Sequence, residues 1–366
     1  MADPWRLLVD TNSYADFSVS ISPAIERAVV EGSSPPTVFL NIFDSDSVTI
    51  GINEDPEQTL DLNLCASEGV YFRRRPSGGG AVYAGAGSAF LVYFLPTTHS
   101  KVPQTSAEAF PQILGAMAET LSKRYGFPAS YRPLNDIEVE GRKLIPTSLK
   151  IENGVMTFRI VVNITPIDTS LAGKLLPMPP EKVADKELKD LSSRFTYLEK
   201  EAGRSFDVRE LESMTRDVVM SSFGEGLTLG RTTKLEQGYA GQFRALYESE
   251  EWLFAKSERT LLQPILRNGD TVGYGRSKAV GGLIRATLAL RENKIIKAII
   301  NGDWHPRPLE SVSWLEEQLI GVEAEFEVIR AKIQQFLADD EVEFAGVKIE
   351  DLMSAIKVAL ETQDVR

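Results

Sequence analysis

Short apolar runs and helical repeats alternate along the first part of the chain. Runs of β-branched and apolar residues at 6–10, 37–43 and 47–52 predict strands, and the last two are close enough in sequence to form a hairpin. Apolar residues recur at helical spacing from 21 to 29, where Ser22, followed by a proline, offers an N-cap. The chain is therefore expected to open with a strand, a helix and a hairpin.

The middle of the chain extends this beginning into a mixed sheet. A helix at 60–67, strands at 70–73 and 88–95, and a long helix at 106–125 follow in order. The pair Asn153-Gly154, set between two strand-like runs, is the strongest short hairpin signal in the chain. We therefore predict an α+β fold whose sheet mixes strand directions.

The pattern of elements changes after Trp252. Residues 166–191 are rich in proline, lysine and leucine and are expected to cover the sheet as an irregular, mobile segment, whereas residues 249–259 are expected to form a linker. The remaining predicted elements are helices at 208–223 and 235–248, strands at 271–275, 283–292 and 295–301, and helices at 309–319, 323–337 and 349–361. Three strands packed on helices make a small α+β unit, so we predict one domain at 1–248 and a second at 260–366.

Composition is that of an ordinary soluble protein. Of 366 residues, 43% are hydrophobic and 25% are charged. A net charge of −12 argues against a nucleic-acid partner, and no apolar run of about 18 residues is present to span a membrane. The amino terminus has neither the basic nor the apolar region of an export signal, so we expect a cytoplasmic protein.

Few residues for covalent or metal chemistry are available. Cys65 is the one cysteine of the chain, which excludes an internal disulfide framework. His99 and His305 lie far apart in sequence and have no zinc-like spacing, so a histidine-based metal centre is not expected.

Positive charge is concentrated in one glycine-rich segment. Its sequence runs Arg73-Arg74-Arg75-Pro76-Ser77-Gly78-Gly79-Gly80-Ala81-Val82-Tyr83. Glycines let the backbone approach a ligand closely, and arginine supplies planar, multi-donor hydrogen bonding to anionic oxygens. This combination favours a phosphorylated ligand. The alternative is a glycine-rich turn beside a solvated basic edge.

The glycine-rich segment resembles the R-R-x-S-G-G-G-A-V-[YF] signature of lipoate-protein ligases. Downstream, Asn135-Asp136-Ile137 and Gly141-Arg142-Lys143 are similar to the N-D-[IL] and G-x-K pair of that family, in the same order and spacing. The second half also resembles the family's accessory domain, through Glu250-Glu251-Trp252 and the turn Gly302-Asp303-Trp304. The resemblance implies a mixed-sheet biotinyl/lipoyl ligase-like catalytic domain at 1–248 and a small α+β accessory domain at 260–366.

The same resemblance implies a reaction and a set of binding residues. A ligase of this family joins lipoate to ATP as lipoyl-AMP and then transfers the lipoyl group to a lysine of an apo lipoyl domain. Lys143 would be the catalytic residue, and Asp136 would bind Mg²⁺. The residues implied at the ATP and lipoyl-adenylate site are Arg75, Ser77, Gly78, Gly79, Gly80, Ala81, Val82, Tyr83, Asn135, Asp136 and Lys143.

The residue types of the downstream motif also suggest roles for Lys143, Asp136 and Asn135, independently of the resemblance. A flexible ammonium at Lys143 can follow charge from the phosphates to the acyl carbonyl as the reaction proceeds. The alternative is an exposed lysine beside Arg142, the commoner situation for this residue type. Asp136 could instead hold the adenine-side loop, and Asn135 could brace the turn. An Asx-turn between strands is the alternative for that pair.

The acyl side of the site departs from the family pattern. Ligases usually continue Y-H-D-x-G-N after the glycines, whereas this chain has Tyr83-Ala84-Gly85-Ala86-Gly87-Ser88. The small-residue run after the lysine, S-G-S-A in the family, here reads Ile145-Pro146-Thr147-Ser148, and H-G-T reads Met156-Thr157-Phe158. Candidates for an apolar slot, all of which also suit a plain core, are Val82, Phe90, Val92 and Phe94.

Three functions are compatible with these residues. The first is an ATP-dependent ligase of lipoate or a close analogue. The second is an octanoyltransferase of the same fold that works through a cysteine thioester, although Cys65 does not occupy the expected region of that nucleophile. The third is a non-enzymatic paralogue that binds lipoate, biotin or an adenylate.

Overall fold

The computed structural model describes residues 5–13, 19–133, 135–177 and 195–366. Contacts within it divide the chain into two compact units. The first contains Met1–Ser47, Tyr83–Ala172 and Lys186–Ala245, and the second contains Val48–Val82, Gly173–Asp185 and Leu246–Arg366. The glycine-rich segment, up to Val82, is thus grouped with the carboxy-terminal part of the chain. The predicted domains at 1–248 and 260–366 divide the chain in sequence order instead, and they stay a prediction.

The strands of the described residues are numbered in chain order. They are β1 (Trp5–Ser13), β2 (Thr37–Phe43), β3 (Ser47–Ile50), β4 (Tyr71–Arg74), β5 (Val82–Ala84), β6 (Ala89–Pro96), β7 (Ala129–Arg132), β8 (Asp136–Val139), β9 (Arg142–Glu152), β10 (Val155–Val162), β11 (Leu227–Leu229), β12 (Thr271–Ala279), β13 (Gly282–Arg291), β14 (Lys294–Gly302), β15 (His305–Arg307), β16 (Glu343–Ala345) and β17 (Asp364–Val365).

The helices of the same residues are numbered likewise. They are α1 (Ile21–Val30), α2 (Pro56–Thr59), α3 (Leu62–Glu68), α4 (Ser106–Tyr125), α5 (Thr169–Leu175), α6 (Leu198–Ala202), α7 (Val208–Phe223), α8 (Lys234–Tyr247), α9 (Glu250–Leu253), α10 (Glu258–Leu261), α11 (Ser311–Leu319), α12 (Phe326–Phe336) and α13 (Ile349–Glu361). None of them is both long and apolar enough to cross a membrane.

An eight-stranded sheet forms the centre of the first unit, in the order β11-β1-β2-β6-β10-β9-β8-β7. β1 runs parallel to β11 and β2, whereas the pairs from β2 to β7 are antiparallel, which confirms a mixed sheet. One face packs on α4 and α7 through residues such as Leu91, Ile113 and Val218. The other face packs on α1, where Ile25 meets Phe39. With helices on both faces, the α+β class is confirmed.

The hairpin predicted around Asn153-Gly154 is confirmed. β9 and β10 pair from Glu152 and Val155 onward. Asn153 and Gly154 have φ angles of 51° and 74°, the left-handed backbone that a two-residue hairpin turn requires and that asparagine and glycine adopt most readily. The long helix at 106–125 is also confirmed with the predicted bounds.

The hairpin predicted from 37–43 and 47–52 is wrong. β2 lies between β1 and β6, which take both of its edges, and β3 pairs with β4 instead. Residues Thr37 to Asn41 are all buried, as expected for a central strand covered on both faces rather than for one arm of a hairpin. The continuous apolar run at 37–43 therefore indicates a buried strand, and it does not indicate that the strand pairs with the next one in the sequence.

The N-cap predicted at Ser22 is also wrong. α1 begins one residue earlier, at Ile21, and Ser22 is a buried residue of its first turn. The proline that follows Ser22 fits there because the first turn of a helix leaves its amide groups unpaired in any case.

The second unit contains a sheet in the order β14-β13-β12-β17. The three predicted strands are confirmed, and β17 adds a fourth beside Thr271 and Val272. α13 packs closely on β12, because a Cβ on Gly273 or Gly275 would come within 2 Å of a carbonyl oxygen of Ala359 or Ala355. Glycine at these two positions permits the contact.

Residues 249–259, the predicted linker, are packed inside the second unit. They contain α9 and the start of α10. Lys256 is buried and binds Glu316 at 2.8 Å, and the Ser257 hydroxyl donates to Asp55 at 2.6 Å. The predicted covering segment at 166–191 is described as far as 177, where α5 supplies one of its short helices, and the rest lies outside the described residues.

Glu236 fastens α8 to the sheet of the first unit. Its side chain is fully buried and pairs with Arg6 of β1, and it also accepts from the Ser34 hydroxyl at 2.8 Å and the Thr233 amide at 2.6 Å. Burial opposes ionisation of Glu236, but Arg6 and the other donors outweigh it and lower the pKa of this carboxyl. The pair is therefore charged at neutral pH.

We predict that Glu236→Gln lowers the free energy of unfolding by about 3–5 kcal/mol, because the guanidinium of Arg6 would stay buried without a counter-charge. Urea denaturation measures this loss. The matched control is Glu119→Gln, which removes one partner of the exposed pair with Lys123 and should cost less than about 1 kcal/mol. Equal losses in the two variants would contradict the argument.

Candidate functional site

Lys143 and Asp136 form an ion pair across two neighbouring strands of the first unit. The Lys143 ammonium, on β9, lies 2.7 Å from Oδ2 of Asp136, on β8. The side chain of Lys143 is 32% exposed, whereas that of Asp136 is 16% exposed. A bulge beside Glu138 shifts the register of the two strands at this point. The ammonium is therefore oriented by a carboxylate, on a side chain that is partly exposed.

Asn135 fixes the start of β8 to β9. Its side-chain amide donates to the Thr147 carbonyl at 2.7 Å, and the Thr147 hydroxyl donates back to the Asn135 carbonyl at 2.6 Å. The carbonyl of Lys143 accepts from the Thr196 amide at 2.9 Å. Asn135 thus braces the backbone beside the Lys143 and Asp136 pair, and its predicted contact with the adenylate stays a prediction.

One oxygen of Asp136 is suited to a cation. Oδ1 is buried and has no hydrogen-bond partner among the described residues. Within the same part of the chain, no three His, Cys, Asp or Glu side chains converge as a ready metal site. Mg²⁺ usually takes one or two carboxylates and completes its shell with phosphate and water, so a carboxylate oxygen suits the ion in type, but Oδ1 is buried and Mg²⁺ binding at Asp136 stays a prediction.

Arg75 holds the glycine-rich segment of the second unit together. Its Nη1 donates to the Thr49 carbonyl at 3.0 Å, and its Nη2 donates to the Gly78 and Gly80 carbonyls at 2.8 Å each. The guanidinium predicted to bind the adenylate is thus engaged with the backbone of its own loop. A direct contact with the ligand stays a prediction.

Arg74 and Arg73 differ from each other in surroundings. Arg74 is fully buried and donates to the Leu253 and Ile52 carbonyls, and burial lowers its pKa to about 10. Arg73 pairs with Glu248 at 3.0 Å near the surface. Arg74 is therefore a structural residue, whereas Arg73 belongs to a surface ion pair.

The three glycines lie against the turn that contains Asp303, Trp304 and His305 in the same unit. A Cβ on Gly78 would meet the His305 ring and the Trp304 carbonyl at 3.0 Å, and one on Gly80 would meet Asp303 at 3.1 Å. The Gly79 amide donates to the Trp304 carbonyl at 3.3 Å. Glycine is therefore needed here for packing, and one of the three predicted ligand-binding amides is used within the protein.

The His305 ring is neutral at physiological pH. Burial lowers its pKa, the positive charges of Arg75 and Arg307 lower it further, and Asp303 opposes them. No pattern along the sequence linked this histidine to the glycines, because the two segments are far apart in the chain. The sequence signal nearest to this histidine is Gly302-Asp303-Trp304. It predicts a turn, but it does not indicate which distant segment the turn contacts.

The remaining predicted residues of the glycine-rich segment flank the three glycines on either side. Ser77 accepts from the Ile52 amide through its carbonyl at 2.9 Å, Ala81 is half-buried, and Val82 is exposed. Tyr83 is half-buried in the first unit, where burial raises the pKa of its hydroxyl and the nearby Asp46 carboxylate raises it further. Tyr83 therefore stays protonated across the physiological range.

Two of the four candidates for an apolar slot belong to the core. Val92 and Phe94 are fully buried in the cluster under α1, whereas Phe90 is partly buried at its edge. Val82 is exposed. Val92 and Phe94 are therefore core residues, which was the alternative to an apolar slot. Phe90 stays a half-buried candidate for lining that slot.

Cys65 is poorly suited to be a nucleophile. It lies in α3 with 3% of its surface exposed. Burial raises the pKa of its thiol, and the Asp61 carboxylate raises it further. Since the thiolate is the reactive form, neither access nor ionisation favours attack on a substrate.

The structure brings the predicted residues together in two groups. Lys143, Asp136 and Asn135 share β8 and β9 of the first unit, and Arg75 with the three glycines forms a loop of the second unit. The convergence of Lys143 and Arg75 on one ligand stays a prediction.

Gly51 packs tightly against the glycine loop. A Cβ on Gly51 would lie 2.0 Å from the Gly79 carbonyl oxygen, so Gly51→Ala must displace the loop. We predict that this variant has a lower midpoint of thermal unfolding, which circular dichroism measures. The control is Gly115→Ala in α4, where a Cβ meets nothing within 4 Å and the helix should gain about 0.5–1 kcal/mol. An unchanged midpoint in Gly51→Ala would contradict the close packing.

Comparison with known proteins shows which family this chain belongs to. The family model "Lipoyl protein ligase A/B catalytic domain" matches residues 16–219, more than half of the chain. Octanoyltransferase LipM of Kyrpidia tusciae is 24% identical over 274 residues, covering 69% of this chain and 99% of that protein. Lipoate-protein ligase LplJ of Bacillus subtilis is 22% identical over 327 residues, covering 88% and 92%.

A solved structure confirms the fold. P. falciparum LipL1, crystallised in complex with lipoate, matches with a TM-score of 0.71 at 16% identity, covering 96% of this chain and 98% of that one. The biotinyl/lipoyl ligase-like fold expected from the motifs is therefore confirmed, and the chain belongs to the lipoyl protein ligase A/B catalytic domain family.

Proposed function

We propose that this chain is an ATP-dependent lipoate-protein ligase. It joins lipoate to AMP, releases pyrophosphate, and passes the lipoyl group to a lysine of an apo lipoyl domain. Family membership supports acyl modification of such a domain, since the relatives carry the names of a ligase and an octanoyltransferase. The choice between ligation and transfer depends on the reactive groups that this chain itself presents.

The ion pair of Lys143 and Asp136 is the observation that carries the proposal. The Lys143 ammonium is oriented by a carboxylate at 2.7 Å, and the Lys143 side chain as a whole is 32% exposed. In adenylation, a lipoate oxygen attacks the α-phosphorus and the bond to pyrophosphate breaks. In transfer, the acceptor amine attacks the acyl carbon, loses a proton, and the bond to AMP breaks. Both steps develop negative charge on oxygen, which a positioned ammonium stabilises.

Asp136 would also serve Mg²⁺. Its unpaired Oδ1 would be the ligand that the described residues offer to the ion, while Oδ2 stays on Lys143. The ion, when bound with ATP, neutralises phosphate charge. Lys143 would thus stabilise the oxygens that gain charge in each step, and Asp136 would act on the phosphates through the ion.

A second candidate function is octanoyl transfer, which the name of the LipM relative favours. An acyl-enzyme route through a cysteine requires an accessible thiolate. Cys65 is the sole cysteine of the 366 residues, and it is buried with a raised pKa. The reactive groups of this chain therefore favour a mechanism without an acyl-enzyme.

We predict that Lys143→Gln lowers the rate of lipoyl-AMP formation by at least about 100-fold, because one charged donor to the developing oxyanion is lost. The assay is pyrophosphate release from Mg-ATP and lipoate, followed by mass spectrometry of an apo lipoyl domain for a single lipoyl addition on lysine. The wild-type protein should give both signals.

The matched control for this prediction is Lys123→Gln, an exposed lysine of α4, which should retain full activity. Two results would refute the ligase proposal. One is a wild-type protein that releases no pyrophosphate and modifies no lipoyl domain. The other is a Lys143→Gln variant as active as Lys123→Gln.

We predict that Cys65→Ala retains both adenylation and transfer within about twofold, since no bond forms to the enzyme in the proposed mechanism. The same variant should be compared with the wild type using octanoyl groups on an acyl carrier protein as donor. Transfer from that donor by the wild type, abolished in Cys65→Ala, would favour the octanoyltransferase instead.

A further inference from the structure

The turn after Tyr83 lacks the charged residues that ligases of the family place there. Residues 84–87 read Ala, Gly, Ala, Gly. The turn nevertheless has a defined conformation in the first unit. The Gly87 amide donates to the Phe43 carbonyl at 2.8 Å, and the Thr165 hydroxyl donates to the Ala86 carbonyl at 3.2 Å. Its carboxylate contact comes from a different part of the sequence.

Asp46, in the connection between β2 and β3, supplies that contact. Its Oδ1 accepts from the Ala86 amide at 2.8 Å. A Cβ built on Gly85 would lie 3.6 Å from the same Oδ1 and 3.6 Å from Cε1 of Tyr83. The Asp46 carboxylate therefore lies next to the space that a side chain at position 85 would enter, and beside the Tyr83 ring.

A charged acceptor on a backbone amide is a strong restraint. Hydrogen bonds to charged groups contribute about twice as much as neutral ones. The other contacts of the turn described above use neutral groups. Asp46 is therefore the charged group that restrains the turn, through an exposed bond to the Ala86 amide.

We propose that Asp46 is a positioning residue of the acyl side of the ligase site, and that it replaces in space a carboxylate carried on the turn itself. The inference rests on the proposed function and adds to it a residue that positions the binding site for lipoate. Asp46 orients the 83–87 turn and takes no part in bond making. Its loss therefore affects use of the acid more than use of ATP.

The test compares Asp46→Ala with Asp44→Ala. Asp44 is an exposed aspartate of the same connection, and its carboxylate accepts from the neighbouring Ser45 hydroxyl at 3.2 Å. We expect Asp46→Ala to lower kcat/KM for lipoate about 10-fold or more, with KM for ATP within about twofold of the wild type. Asp46→Asn keeps an acceptor oxygen for Ala86 and should fall between. Asp44→Ala should be unchanged.

Rescue separates positioning from general stability. Position 85 can take a side chain, because the nearest atoms to a Cβ there are 3.6 to 3.8 Å away and no left-handed φ is needed. We expect Gly85→Asp, introduced into Asp46→Ala, to recover at least about half of the lost kcat/KM. Gly87 offers no such site, since its φ is 84° and a Cβ would lie 2.6 Å from the Thr165 hydroxyl.

Two outcomes would overturn the inference. One is equal kcat/KM for lipoate in Asp46→Ala and Asp44→Ala. The other is a loss that Gly85→Asp does not restore and that accompanies a lower midpoint of thermal unfolding. If the wild type forms no lipoyl-AMP at all, the proposed function fails, and hydrogen exchange of the 83–88 peptide decides instead. Faster exchange in Asp46→Ala than in Asp44→Ala supports the restraint, and equal exchange overturns it.

Discussion

Buried backbone carbonyls must find donors, and the glycine-rich segment meets this requirement with its own arginines. Arg74 donates to the Ile52 and Leu253 carbonyls, and Arg75 donates to the Thr49, Gly78 and Gly80 carbonyls. A segment with three successive glycines has no side chains to pack and few conformational restraints of its own. Arg75 restrains the glycines by bonding two of their carbonyls, and Arg74 joins the segment to the backbone around it. Lysine would not replace these arginines, because its ammonium lacks the fixed fork of donors.

This use of Arg75 changes how the segment can meet an anionic ligand. In the structure, one terminal nitrogen of Arg75 is bonded to the Thr49 carbonyl of β3 and the other to carbonyls of the loop, and the Gly79 amide is bonded to the Trp304 carbonyl. The positive charge of Arg75 is present all the same, and it contributes to the lowered pKa of His305. The loop can therefore attract phosphate through charge, whereas direct bonds to the ligand require some of the internal ones to be exchanged. Such exchange is a cost that binding must offset.

The sequence predicted local features better than contacts between distant segments. The helix at 106–125 and the turn at Asn153-Gly154 follow from signals within a few residues. The partner of β2 could not be predicted, since an apolar run is equally suited to a hairpin arm and a central strand. The different roles of Arg74 and Arg75 could not be predicted either, because the two are identical residues next to each other in the sequence, one at the end of β4 and one just after it. The packing of His305 on Gly79 joins distant segments, and no periodicity reports it.

The family's shared fold serves reactions that differ in how the acyl group is activated, so fold and sequence identity at this level do not separate them. The separation lies in physical chemistry. A thioester route needs a thiolate, and the buried position of Cys65 beside Asp61 disfavours both its ionisation and its access. An adenylate route needs no nucleophile, only fixed positive charge at the developing oxyanion. Lys143, oriented by Asp136 and partly exposed, meets that need. This requirement is electrostatic, so under the proposed function it does not depend directly on the residues replaced after Tyr83. Asp46, bonded to the Ala86 amide, restrains the turn that these residues form.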